Sequence, residues 1–456
     1  MELKGRQVVV VGAGRSGLAA CKALLRHGAE VTLNDAKPLS ELGLAAAAAA
    51  EHGFQLAPGG HPAALLEGCG LLILSPGVSG QLPFIRQARA QGIPVLSEVE
   101  LAFRLKPRRW LAVTGTNGKT TTTSLLHAMF KAAGFPALLG GNIGEALADR
   151  VEDAPDEAAV VAEVSSFQLE DVELFKPFVG VWTNLTPDHL DRYPSLQAYG
   201  QAKARLFQGM DGRDHLVSNA MDPQVEAFCS SSRAVRWRFA RGAEVPCGAW
   251  EQGGTLWMRE PGNAAHALLP LAELRLRGPH NLENALAASC AAAAFGLPME
   301  SLAAALRDFG GVEHRLEPAG EVGGLRFVND SKATNIDSVS KALQSFDEPV
   351  HLILGGRDKA GDFRVLEPLL RGRVARIYGI GEARAKVQEQ LGAVVPVEDC
   401  GDLATAVSRA AEQGKRGEWV LLSPGCASFD QFRDYEHRGR EFKALAAALA
   451  AKQGGA

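Results

Sequence analysis

The segment Gly115-Thr116-Asn117-Gly118-Lys119-Thr120-Thr121 closes the apolar run WLAVTG (110–115) and opens a helical pattern. In such a strand–loop–helix setting backbone N–H groups cradle phosphates, the lysine reaches the terminal phosphates, and the Thr120 hydroxyl can hold Mg2+. The loop is shorter than the usual phosphate loop, because Val113 stands where a glycine is expected five residues before Gly118. A second glycine-rich turn, Gly12-Ala13-Gly14-Arg15-Ser16-Gly17, also sits between a strand and a helix, and Asp35 ends the following strand. Glycines there admit a phosphate to the helix N-terminus, whose N–H groups and dipole favour anions, and Asp35 can accept from a ribose hydroxyl or another polar group. Taken alone, this turn suits a nicotinamide or flavin dinucleotide, another nucleotide, or helix–strand packing with no ligand. Glu163 ends the strand in AEVSSFQLE, where it reads either as a direct or indirect Mg2+ partner or as a solvated strand-end carboxylate. Asn142 in GGNIG and Asp188-His189 in TNLTPDHLDRY fall at strand-to-helix junctions.

Two nucleotide-binding turns in one chain suggest that ATP drives chemistry on a second, nucleotide-bearing substrate. The elements that would position them follow an α/β alternation with largely parallel sheets. A first series of strand-like runs covers 7–12, 30–34, 71–75 and 94–97, a second 110–115, 158–164 and 178–184, and a third 326–330, 350–356, 374–380 and 418–425. The stretch 231–276 has weaker periodicity and suits antiparallel strands. Helical patterning returns in HNLENALAASCAAAAFG and ends at Gly296, a suitable C-cap. Three domains are therefore expected, 1–97, 98–312 and 313–456: a Rossmann-like N-terminal domain, a central phosphate-loop ATPase-like domain and a Rossmann-like C-terminal domain. A chain of 456 residues is long enough for several cores. Its net charge of −4 argues against a broad basic surface for nucleic acid. Seven scattered cysteines without a CxxC pair suggest neither a disulfide framework nor a zinc site. No run approaches the ~20 apolar residues of a membrane helix, and the N-terminus runs straight into a strand without a leader pattern, so a cytoplasmic protein is expected.

GTNGKTTT, GGNIG, EVSSFQLE, TNLTPDHLDRY, HNLENALAA, HRLE, NDSKATN, GGRDK and LLSPGCASFDQF, in this order, resemble the Mur ligases of peptidoglycan precursor synthesis. The resemblance spans essentially the whole chain, and NDSKATN and SSFQLE favour the D-glutamate-adding members. It implies an ATP- and Mg2+-dependent amide ligase that activates a UDP-sugar amino acid, UDP-N-acetylmuramoyl-L-alanine, as an acyl phosphate for attack by D-glutamate. It also implies roles for individual residues. Lys119, Asn142, His189 and Lys203 become catalytic, and Gly115 to Thr121 with Asn281, Asn284, Arg315, Asp330 and Lys332 bind ATP. Thr120, Glu163, His189 and Lys203 hold Mg2+. The UDP end falls to Gly14, Arg15, Ser16, Asp35, Lys37, Ser75, Pro76 and Gly77, and D-glutamate to Thr334, Lys359, Ser428 and Tyr435. Ala36 stands where relatives often carry Thr, and Tyr435 where they commonly carry Phe. Lys203 lies on a helical pattern with Tyr199 and Phe207 at i, i+4 steps, hence on one face. Burial beside Mg2+ would lower its pKa and expose a neutral amine able to take up CO2, and in Mur ligases a lysine in this motif is carbamylated. The expected partners are these small molecules alone, acting on a monomer, with no nucleic acid or membrane. Other enzyme classes remain open from the motifs: a Mur-type ligase of different amino-acid specificity, a nicotinamide-dependent oxidoreductase built on GAGRSG, or an ATP-driven conformational machine.

Overall fold

The structure, a computed structural model, describes residues 1–190, 192–276, 278–358 and 361–454, the side chains of 452–454 excepted. Its first part contains β1 (Gln7–Val11), α1 (Arg15–Arg26), β2 (Glu30–Asp35), α2 (Gly43–His52), β3 (Gln55–Pro58), β4 (Leu71–Leu74), α3 (Pro83–Ala90), β5 (Val95–Ser97) and α4 (Glu98–Leu105). The five strands are parallel in the order β3-β2-β1-β4-β5. Val8 to Val11 and Leu71 to Leu74 are buried throughout, as strands covered on both faces require. The order reverses between β1 and β4, and the crevice at that switch point is where such sheets take ligands. A Cβ on Gly17 would lie 1.9 Å from Gly12 O, so glycine is what lets α1 start so close to the exit of β1.

The second sheet follows with β6 (Trp110–Thr114), α5 (Lys119–Ala132), β7 (Ala137–Gly141), α6 (Leu147–Arg150), β8 (Ala159–Glu163), α7 (Ser166–Leu169), β9 (Val179–Trp182) and α8 (Leu196–Ala204). Then come β10 (His215–Asn219), α9 (Pro223–Cys229), β11 (Val235–Arg241), β12 (Gly248–Gln252), β13 (Thr255–Arg259), β14 (His266–Pro270), α10 (Pro279–Phe295) and α11 (Met299–Asp308). The order is β14-β13-β12-β11-β10-β9-β6-β8-β7, parallel from β7 through β12 and antiparallel only at β12-β13-β14. Antiparallel strands thus lie where the periodicity weakens, and α10 ends before Gly296, whose φ is +97°. Phe103, Trp110 and Phe175 meet edge-on with centroids 5.4–5.8 Å apart, tying α4 to the second sheet.

The third sheet is built from β15 (Glu317–Val322), β16 (Leu325–Asn329), α12 (Ile336–Leu343), β17 (Val350–Gly355), α13 (Glu367–Leu370), β18 (Val374–Ile380), α14 (Arg384–Leu391), β19 (Val397–Gly401), α15 (Leu403–Gln413), β20 (Trp419–Leu422) and α16 (Tyr435–Gly454). Its order is β15-β16-β20-β17-β18-β19, with only β15 antiparallel. The molecule is therefore an α/β protein with three mostly parallel sheets. The first two sheets share one compact unit (Met1–Arg275 with Glu283–Phe309), and the third belongs to another (Leu276–Leu282 with Gly310–Ala456). None of the seven cysteines forms a disulfide, and six of them are buried. Among the described residues no helix is long and apolar enough to cross a membrane.

Candidate active site

In the second sheet β6 is flanked by β8 and β9, and the loop 115–118 leaves its carboxyl end. Gly118 sits at φ +83°, and a Cβ there would meet Asn284 Oδ1 at 2.1 Å, while one on Gly115 would meet Thr183 Oγ1 at 2.0 Å. The segment after β9 braces the loop. Asn184 Oδ1 accepts from Asn117 N at 2.9 Å, Asn184 Nδ2 donates to Asn117 O at 3.0 Å, and Thr183 Oγ1 donates to the same carbonyl at 2.7 Å. Thr116 Oγ1 accepts from Thr186 N at 3.0 Å. Gly118 gives α5 no side-chain cap, so its first-turn amides and positive dipole end suit an anion. Thr120 and Thr121 are buried at this helix start.

Two lysine side chains converge on one oxygen of this loop. Lys119 Nζ donates to Gly115 O at 2.9 Å and to Thr116 O at 2.7 Å, and Lys203 Nζ donates to Gly115 O at 2.8 Å. Lys203 is 1% exposed and its Nζ lies 4.3 Å from the Tyr199 ring centroid. Burial drives its amine well below the ordinary lysine range, Lys119 adds to the effect, and the Asp188 and Glu163 carboxylates pull the other way. Glu163, 1% exposed at the end of β8, accepts from Asn142 Nδ2 at 2.8 Å, and Asn142 N donates to Glu163 O at 2.9 Å. His189, half-buried at φ +54°, follows Asp188, whose Oδ1 accepts from His189 N at 2.9 Å. Its ring lies 4.8 Å from that of Phe167.

The switch point of the first sheet opens into a cavity of about 730 Å³. Its wall includes Gly14, Arg15, Ser16, Asp35, Lys37, Ser75, Pro76 and Gly77, and at its other side Gly141, Asn142, Gly144, Ala146 and Gln168. All eight residues expected at the UDP end thus share one cavity with Asn142. Asp35 shapes the turn: Oδ2 accepts from Ala13 N at 2.7 Å and Oδ1 from Lys37 N at 2.9 Å. Ser75 Oγ donates to Gly12 O at 2.9 Å. Gly14 offers α1 no side-chain cap, which leaves an anion-ready helix end at the cavity wall.

In the second compact unit Asp330 follows β16 and Ser423 follows the neighbouring β20. Ser423 Oγ donates to Asp330 Oδ2 at 2.8 Å, and burial pushes the Asp330 carboxyl up to about 7. Leu316 N donates to Asp330 Oδ1 at 3.3 Å, which ties down the turn carrying Arg315, where His314 and Leu316 hold positive φ of 64° and 43°. Lys332 Nζ lies 5.1 Å from the Tyr435 ring centroid. Thr334 is half-buried, and Ser428 is buried in the loop after β20. Lys359 lies outside the described residues. Asn281 and Asn284 share the first turns of α10, with Asn284 buried and accepting from Thr122 Oγ1 at 3.4 Å.

Several supporting residues escaped the sequence reading. Gln168 and His61 line the cavity, and Asn184 and Thr183 lock the phosphate loop. Buried Arg438 staples 331 to 426, donating to Ser331 O at 2.8 Å, Ser331 Oγ at 3.0 Å and Cys426 O at 3.2 Å. Gln168 lies in SSFQLE and the Thr183–Asn184 pair opens TNLTPDHLDRY, whereas no motif holds His61 or Arg438.

Three family models cover most of the chain. The Mur ligase MurD-like N-terminal domain matches residues 6–97, the Mur ligase middle domain 113–292, and the Mur ligase, glutamate ligase domain 314–426. The chain is 45% identical to the UDP-N-acetylmuramoylalanine–D-glutamate ligase of Acidobacterium capsulatum, covering 98% of this chain and 97% of that protein. It is 44% identical to the protein of the same name from Anaeromyxobacter dehalogenans, with 98% of each covered. Among solved structures, a pseudomurein peptide ligase type C from Methanothermus fervidus superposes with a TM-score of 0.61 at 18% identity, covering 98% of this chain and 100% of that one. The UDP-N-acetylmuramate-alanine ligase of Thermotoga maritima gives a TM-score of 0.61 at 19% identity, covering 97% and 99%. These structural likenesses speak to the fold. The sequence matches decide the family: the chain belongs to the Mur ligases.

Proposed function

We propose that this chain is an ATP-dependent ligase that joins D-glutamate to UDP-N-acetylmuramoyl-L-alanine in peptidoglycan precursor synthesis. The observation that carries the reading is the single cavity reaching from the Gly14 helix end to Asn142, which is bonded to Glu163 beside the phosphate loop. Its near full-length identity to ligases of that name supports the choice of amino acid. A carboxylate and an amine do not condense in water, because hydroxide is a poor leaving group. A carboxylate oxygen attacks the γ-phosphorus of ATP, ADP leaves, and an acyl phosphate forms. The D-glutamate amine then attacks the acyl carbon, phosphate departs, and the nitrogen loses a proton.

Lys119 and the α5 amides bind the β- and γ-phosphates and offset the repulsion between carboxylate and phosphate. Asn142 donates to the reacting carboxylate. Mg2+ fits the donors present, namely the Thr120 hydroxyl, the buried Glu163 carboxylate and the His189 imidazole, to which a carbamate formed on Lys203 would add an oxygen, and when bound it would neutralise phosphate charge. Gly14, Arg15, Ser16, Asp35, Lys37 and Ser75 to Gly77 hold the UDP end. Asn281, Asn284, Arg315, Asp330 and Lys332 contact ATP, and Thr334, Lys359, Ser428 and Tyr435 take D-glutamate. In this division 1–97 serves the UDP-sugar, 98–312 ATP and 313–456 the amino acid, in a cytoplasmic monomer. The test is product analysis with substrate labelled by heavy oxygen in its carboxylate. The expected result is a D-glutamyl amide and label in the released phosphate. An unlabelled phosphate, or an amide with another amino acid only, contradicts the reading.

A further inference from the structure

We propose that Glu98 is a positioning residue for Asn142: from the first turn of α4 its carboxylate caps α6 and fixes the loop 141–146 on the cavity wall. The inference rests on the reading that Asn142 touches the reacting carboxylate. α6 has four residues, too few to hold a helical turn unaided, since nucleation is costly. Its own N-cap residue is Ala146, which has no side-chain acceptor. The cap comes instead from far back in the chain. Glu98 Oε1 accepts from Ala148 N at 2.6 Å, and the Leu147 amide also stabilises the carboxylate. From the end of α1, Arg26 holds the same short helix, donating to Asp149 O at 3.1 Å and to Asp149 Oδ1 at 2.8 Å.

The loop between β7 and α6 has little freedom of its own. Gly141 N donates to Glu145 O at 3.2 Å, and Asn142 N to Glu163 O at 2.9 Å. A Cβ on Gly140 would lie 2.6 Å from Leu147 Cδ2, so α6 packs directly on the exit of β7. A shift of α6 is therefore passed to Asn142. Glu98 is 1% exposed, and its Oε2 has no hydrogen-bond partner among the described residues. Burial pushes its carboxyl up to about 7. A carboxylate kept against that desolvation cost calls for a role that an apolar side chain cannot fill. Capping α6 is such a role, and Gln, which keeps an amide oxygen, can reproduce it.

The test uses the full chain and compares E98M, E98Q, N142A and E98M/N142A in steady-state kinetics with the UDP-sugar substrate, ATP and D-glutamate. Replacing a buried charge by an apolar side chain of similar volume is commonly neutral or stabilising, so E98M should stay folded. The expected result is a kcat about tenfold lower or worse in E98M, from a displaced Asn142, with the KM for ATP unchanged. E98Q should return to within about threefold of the parent, and E98M should cost nothing further in the N142A background. A parental kcat in E98M, no rescue by E98Q, or multiplying losses in the double variant would each overturn the positioning role. If N142A itself matches the parent, the role given to Asn142 fails first, and the two failures are thereby told apart. Should E98M not fold, Glu98 is structural and the proposal falls.

Discussion

Lys119 and Lys203 both donate to Gly115 O, and the nearby Lys119 charge adds to the burial that disfavours the ammonium form of Lys203. The buried partner is Lys203, whose amine burial drives well below the ordinary lysine range, toward the neutral form that can react with CO2. Lys203→Ala is expected to lower kcat by about a hundredfold, with partial recovery on adding short carboxylates that fill the carbamate's place. A parental rate at saturating substrate would exclude the modified lysine. Lys119→Ala should lower turnover by about a thousandfold while calorimetry still records binding of the UDP-sugar. Loss of that binding in a folded variant would count against separate UDP and phosphate sites. Asp330 gives a pH signature. Its folded value of about 7 exceeds the ordinary 3.8, so its contribution to stability is fully present below 3.8 and is lost as pH rises through about 7. One such group gives a slope of up to about 1.4 kcal/mol per pH unit. Asp330→Asn should flatten the fall in denaturation midpoint between these limits, leaving the part that Glu98 contributes with the same sign. An unchanged slope would show that Asp330 titrates at its ordinary value.

At the level of elements, the junction of β1 and α1 is tightly constrained. A methyl at Gly17 would press on Gly12 O, and α1 would have to move away from the turn that presents its first amides to the cavity. Gly17→Ala should weaken UDP-sugar binding at least about tenfold, equivalent to losing roughly one charge-assisted hydrogen bond. Unaltered affinity in calorimetry would mean that the helix end does not hold the ligand. Such turns were legible in the sequence because their requirements are local: glycine where the backbone bends, a hydroxyl or cation where phosphate sits. Strands buried on both faces were legible for the same reason, and QVVVV, LLIL and VHLILG stand where their apolar runs lie. The strands β3, β7, β15 and β19 were not, since each forms a sheet edge, and β3, β15 and β19 carry exposed residues that hide the pattern. β10 is interior but only five residues long with polar ends. The face that the spacing gives to Tyr199, Lys203 and Phe207 is buried, although α8 stops at Ala204 and Phe207 is reached through a tighter turn. Glu98 and Arg438 act across long separations in sequence, and no local pattern marks them.

Across the whole molecule, all three sheets put their candidate site residues at the carboxyl ends of parallel strands: Gly12 and Ser75, then the glycine-rich loop with Glu163, then Asp330 with Ser423. One chain thus carries two anion-ready helix starts in the same compact unit, at α1 and α5. An oxidoreductase would leave the second unused, and an ATP-driven machine without an amide product would leave the first unused. Only a ligase that activates a nucleotide-linked acid employs both. The most direct measurement is phosphate release from ATP with UDP-N-acetylmuramoyl-L-alanine and a panel of D- and L-amino acids, each substrate also omitted in turn. Release is expected only when the UDP-sugar and D-glutamate are both present. Equal or faster release with L-alanine on the unaminoacylated sugar, or release that ignores the UDP-sugar, would contradict it.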